Sequence, residues 1–179
     1  MVNYNTYIDD GIDFRIKLLQ DALFKSCGFT NVDFYGRVQK VLSKDLKSLT
    51  PEVQTIGLER KEVFYDDKNA PGGNVFFVEE DDKHTTRDGV VFVAKIKIVF
   101  MLNLEKIYPN ETRRTDSQVQ DHCVKLIKRI KGIEITAIEK GIKNILKDFN
   151  TENIKLNDMQ PFHIFSINGN LKYMFNCKN

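Results

Sequence analysis

Residues 90–104, VVFVAKIKIVFMLNL, decide the architecture. The even positions Val90, Phe92, Ala94, Ile96, Ile98, Phe100, Leu102 and Leu104 are all apolar. The odd positions mix Val91, Val93, Val99 and Met101 with Lys95, Lys97 and Asn103. Successive side chains of a strand point to opposite faces, so this alternation predicts one long strand with its even face in the core. Phe92, Ile96, Ile98 and Phe100 are the expected buried set. The odd face is half apolar, whereas the outer face of an antiparallel sheet is ordinarily polar and wet. A sheet apolar on both sides needs a second cover, and a neighbouring copy of the chain is the expected source. Val91, Val93, Val99 and Met101, with Phe64 and Phe76 from the segment upstream, are the expected contacts between copies.

Upstream, KEVFYD (61–66) and NVFFVEE (74–80) bracket DKNAPGG, whose Pro and Gly are turn chemistry, so 61–80 reads as a hairpin. Residues 32–49 fit a strand followed by a helical turn or loop that Pro51 stops. Nearer the N-terminus, Asp13 is the expected cap of a helix running to about Cys27, with Phe14, Leu18, Leu19, Ala22 and Leu23 as its apolar stripe and Gly28 just past its end.

Downstream, Thr115 with Gln118 and Thr136 with Glu139 have capping-box spacing and predict two helices. Val119, Cys123, Leu126, Ile127 and Ile130 form the apolar face of the first; Ile138, Ile142, Ile145, Leu146 and Phe149 form that of the second. The last element, PFHIFSINGNLKYMFNC (161–177), alternates on odd positions. A two-residue Asn168-Gly169 hairpin would set Ile167 opposite Asn170 and Phe165 opposite Lys172, mixing apolar and polar on one face. A three-residue loop or an uninterrupted strand keeps the faces consistent, and the uninterrupted strand is the preferred reading. The fold class is therefore α+β: a mostly antiparallel sheet with a long central strand and a hairpin, and helices packed on one face. Residues 1–179 read as a single domain.

With 179 residues, 41% hydrophobic and 29% charged, the chain can bury a sizeable core, which excludes disordered and fibrous classes. A net charge of +2 implies no bulk polyelectrolyte partner. The three cysteines, Cys27, Cys123 and Cys177, are far apart and odd in number, which fits free thiols in a reducing compartment. The N-terminal stretch lacks a basic and apolar leader pattern. The 90–104 stretch, interrupted by lysines, is too short for a membrane-spanning helix, so a soluble chain made in a cytoplasm, with no membrane partner, is expected.

Site chemistry is sparse. His84, His122 and His163 and the cysteines show no paired-ligand spacing, so no metal is expected. No serine or cysteine sits in a nucleophile signature, and Pro71-Gly72-Gly73-Asn74 lacks phosphate-loop spacing and precedes a strand. No catalytic residue and no cofactor are expected. Lys125, Lys128, Arg129 and Lys131 read as the solvated face of a helix. Charge is nonetheless unevenly placed. Segment 113–147 holds nine basic and four acidic residues, and segment 59–88 nine acidic and five basic, which suits head-to-tail contact between copies.

FYGRVQKV (34–41), VFVAKIKIVFMLNLEKIYP (91–109) and DMQPFHIF (158–165) resemble, in that order, segments of the tail-terminator and neck proteins of tailed bacteriophages. The resemblance covers about residues 11–177. It implies a virion structural protein without catalytic residues, assembled into a ring, typically a hexamer, at the head–tail junction. Such a ring caps the tail tube and docks it to the connector on the portal side, and genome DNA passes through it without being read. Other tail or neck adaptor components, or a small cytoplasmic binding module without catalysis, are the alternatives.

Overall fold

The computed structural model describes residues 2–4, 10–42, 48–55, 59–64, 68, 70–81, 83–111, 114–152, 154 and 160–175. In chain order its elements are α1 (Gly11–Ser26), β1 (Val32–Arg37), β2 (Gln39–Leu42), β3 (Leu49–Gln54), β4 (Arg60–Glu62), β5 (Gly73–Glu79), β6 (Thr85–Thr86), β7 (Val91–Asn103), α2 (Leu104–Ile107), α3 (Asp116–Lys128), β8 (Ile133–Lys140), α4 (Ile142–Ile145) and β9 (Phe162–Met174). Of the helical turn or loop expected in the second part of 32–49, residues 43–47 lie outside the described residues; 39–42 and 49–54 on either side are strands, and Pro51 sits within β3 opposite Lys40 and does not stop a helix.

The main sheet has the order β1–β5–β7–β9–β8, with β6 pairing the far end of β7. The fold is α+β and the sheet mostly antiparallel; only β1 and β5 run parallel among its named strands. β7 is the central strand. It pairs with β9 without interruption from Val91 opposite Met174 to Asn103 opposite Phe162, so residues 162–174 are one strand and Asn168-Gly169 is not a turn. The register of β7 is the one its alternation demands. Ile96, Ile98 and Phe100 are fully buried beneath α1 and α3, Phe92 is half-buried, and Phe100 stacks on Phe165 with ring centroids 4.7 Å apart.

Four expectations about local structure need correction. α1 is capped by Asp10, whose carboxylate accepts from the Gly11 amide, and not by Asp13. Its buried stripe is Ile12, Ile16, Leu19 and Leu23, while Phe14 and Leu18 are exposed. The second downstream helix is mostly a strand: residues 133–140 form β8, and only the four residues of α4 are helical. Ile133, Ile135, Thr136 and Ile138 are β-branched and fit a pleated sheet beside β9, which outweighs the capping-box spacing. The 61–80 hairpin does not form either. β4 pairs with β3, whereas β5 pairs with β1 and β7. β5 begins at Gly73, at φ 130°, where a Cβ would lie 2.2 Å from the Met101 carbonyl oxygen, so only glycine lets this end of β5 lie flush on β7.

The most consequential correction concerns the odd face of β7. β2, β3 and β4 form a second, three-stranded sheet. With Ile145, Leu146 and Phe149 it encloses a second core containing Tyr35, Phe76, Val78, Val99, Met101 and Ile164. Val99, Met101 and Phe76 are thus fully buried within the chain and are not contacts between copies. The cover comes from β2, β3 and β4, short strands with too little alternation to be recognised as a sheet.

Both long helices lie on the first face. The β1 edge is also covered: Asn3 bridges Phe34, and the buried Gln20 side-chain amide of α1 donates to Asn3 Oδ1 at 2.7 Å, Tyr4 O at 2.9 Å and Phe34 O at 3.0 Å. β8 is the uncovered end of the strand order among the described residues. No helix among the described residues is long and apolar enough to cross a membrane.

Candidate functional site

The odd face of β7 is divided by one buried charge. Lys97 is 3% exposed, and its ammonium lies 2.9 Å from Glu139 Oε2 on β8 and 3.2 Å from Glu80 Oε1 beyond the end of β5. Burial pulls its pKa down, but hydrogen bonds and charge from Glu139 and Glu80 more than offset this, leaving it above the ordinary lysine value. The hydrogen bond from Lys97 holds the Glu139 carboxyl below its ordinary range. On one side of Lys97 lies the second core. On the other the sheet is open.

The open half is a groove of about 580 Å³ between residues 85–88 and the strands β7, β8 and β9; Thr86, Asp88, Val91, Val93, Glu134 and Lys172 line it. Asp88 holds the loop in place by accepting from the amides of Val90 and Val91, both at 2.9 Å, and these bonds keep its carboxyl below the usual range. Val91 and Val93 are half-buried here, beyond the reach of the small sheet. At the tip of the ribbon Val90 is 59% exposed, Met174 55% and Phe175 59%. Phe175 packs edge-on against Phe92 and Tyr173. Of the six residues expected at an interface, the structure therefore keeps Val91 and Val93 near the surface. Phe64 is half-buried against the second core. Val90, an even position that the alternation places in the core, lies just outside β7 and is exposed, and Met174 and Phe175 are not among the contacts expected from the sequence.

A second polar constellation braces the opposite edge of the ribbon. Arg37 on β1 reaches Asp13 of α1 at 2.9 Å and also pairs with Glu79 of β5. Glu79 meets His84, whose other ring nitrogen meets the Tyr173 hydroxyl on β9. Asp13, Arg37 and Glu79 also line a recess of about 380 Å³ with Lys40. Both nitrogens of His84 are engaged and Tyr173 is buried, so the chain of contacts acts as a strut that ties His84 to α1, β1 and β9. Burial and the Glu79 charge raise the Tyr173 pKa, which keeps this hydroxyl protonated. Sequence spacing could not reveal this strut, because its members come from five separate segments.

A third brace lies beside the second core. Tyr4 stacks on Tyr35 at 4.6 Å, and the Lys61 ammonium sits 4.8 Å and 5.1 Å from the two ring centroids. Burial pushes the Tyr35 hydroxyl up to about 12. The basic run on α3 is a solvated face as expected, with Lys125 paired to Asp121 one turn earlier at 2.5 Å. No protein-family model and no curated protein matches the chain.

Proposed function

We propose that the chain is a ring-forming structural protein of a tailed-phage virion, placed at the head–tail junction, where it caps the tail tube and docks it to the connector. The observation that carries this reading is the half-open β7–β9 ribbon. Its distal tip presents Val90, Met174 and Phe175 to solvent beside the groove at Val91 and Val93, and the β8 edge lies alongside. Apolar patches of this kind on an otherwise well-covered fold mark interaction surfaces. The resemblance of residues 34–41, 91–109 and 158–165 to tail-terminator and neck proteins supports a second copy as the occupant.

Charge placement supports the same reading. The basic segment 113–147 contains α3, β8 and α4, at one end of the strand order. Of the acidic segment 59–88, β5 lies toward the other end, β6 pairs with the central β7, and β4 belongs to the small sheet. Opposite charge at opposite ends favours head-to-tail contact, the arrangement that closes into rings. DNA would pass through such a ring without sequence recognition.

The test is the mass of the purified protein by size-exclusion chromatography with light scattering, with negative-stain imaging of the particles. A ring, six-fold in the simplest case, is expected. The paired substitution Val90→Glu and Met174→Glu, at exposed positions, should leave a folded monomer. A wild-type protein that stays monomeric at every concentration and on mixing with tail tubes would overturn the reading in favour of a small binding module.

A further inference from the structure

Cys27 and Cys123 are 96 positions apart in the chain, yet they meet in the first core. Cys27 caps the C-terminal end of α1, and Cys123 lies at the middle of α3 in its buried stripe. The Cys27 side chain is the group that acts most strongly on the ionisation of the Cys123 thiol. Next to Cys123, His122 Nε2 sits 3.2 Å from the Cys27 carbonyl oxygen, so the two helices are joined at this level by backbone as well as sulfur. The thiols differ in access. Cys123 is fully buried; Cys27 retains 5% exposure and lines a surface recess of about 350 Å³ with Tyr108, Gln118, Asp121, His122 and Lys125.

We propose that Cys27 and Cys123 are a redox-sensitive dithiol that closes to an intramolecular disulfide when a low-molecular-weight disulfide enters the recess at Cys27. In the first step the Cys27 sulfur attacks one sulfur of the small disulfide. A bond forms between them, the small S–S bond breaks, and the departing thiolate takes up the proton lost from Cys27. In the second step the Cys123 sulfur attacks the Cys27 sulfur and expels the second small thiolate, which takes up the Cys123 proton. The net change oxidises two protein thiols to one disulfide and reduces the small disulfide to two thiols.

The order of events follows from the surroundings. The Cys27 side chain and its own burial hold the Cys123 thiol well above the ordinary range, so it is a poor first nucleophile. Its position next to Cys27 makes it the resolving thiol. Closure would fasten the end of α1 to α3 and lock the helical layer against the sheet. Nothing about the proposal depends on the chain forming a ring.

The experiment uses the full chain carrying Cys177→Ser, so that only the two core thiols remain. The protein is incubated with glutathione disulfide, quenched, denatured, alkylated and weighed. The expected product is lighter than the reduced protein by two hydrogen atoms, takes up no alkylating agent, yields a peptide pair joining Cys27 to Cys123, and reverts with dithiothreitol. Its thermal midpoint should rise relative to the reduced form. In a Cys123→Ala variant the reaction should stop as a glutathione adduct on Cys27. Two free thiols after oxidant treatment, a stable adduct on Cys27 with Cys123 still reduced, or a disulfide joining two copies would each overturn the proposal.

Discussion

Phe100 is the side chain on which the first core turns. It is fully buried and stacked on Phe165, so Phe100→Ala removes one ring of the stacked pair that joins the two central strands. The expected cost is about 3–5 kcal/mol, measured by chemical denaturation. Lys97 provides a different test, through pH. Glu139 has a depressed pKa, so its contribution is present above the ordinary value of 4.5 and is lost as pH falls through its lower folded value. Lys97 has a raised pKa, so its contribution is present below 10.5 and is lost as pH rises through its higher folded value. Urea midpoints of the Lys97→Met variant should accordingly depend less on pH than those of the parent at both the acid and the alkaline limit. Equal pH dependence in the two proteins would show that the ion pair contributes nothing. The buried, even positions of β7 were legible because period-two alternation over thirteen residues has no other good explanation. The role of Lys97 was not legible, because its partners Glu80 and Glu139 are brought to it by neighbouring segments of the sheet.

Among the elements, β8 is where local signals and tertiary context disagree most. Thr136 and Glu139 have the spacing of a helix start, yet the segment pairs with β9 over residues 133–140, with a shift in register between Ile135 and Ala137. Helix propensity is a weak prior, and an unpaired strand of thirteen residues offers many backbone hydrogen bonds to any segment that can lie beside it. The approach is close at Gly169, where a Cβ would lie 2.8 Å from the Glu134 carbonyl oxygen. Gly169→Ala should therefore push β8 outward at a cost of about 1–3 kcal/mol, the range for inserting a methyl group into a packed site. Amide hydrogen exchange should quicken across residues 133–140 and stay unchanged in β5. The small sheet β2–β3–β4 was hidden for a related reason. Its strands have 6 residues or fewer, and Val53 is its only fully buried hydrophobic residue, so no stretch of it shows a period.

At the scale of the whole molecule, two cores share one sheet, and among the described residues the sheet is left bare beyond Lys97 and along β8, where Ile138 is exposed. That arrangement confines any contact between copies to the distal end of the ribbon and the β8 edge. Val99→Glu should consequently unfold the protein, while Val90→Glu with Met174→Glu should change only its association; circular dichroism and light scattering separate the two outcomes. The pairing of β7 with β9 has a further consequence, for the order of events during synthesis. α1 packs against β9, a strand that begins more than 130 positions after the helix ends. Until residues 162–174 leave the ribosome, β7 lacks its longest partner, β8 has no strand to pair with, and α1 has only the β1 side of its floor. Contacts so distant in sequence cannot nucleate early. The nascent chain carries Ile96, Ile98 and Phe100 without this partner from their emergence until residues 162–174 follow, and apolar surface exposed over that interval is what chaperones bind.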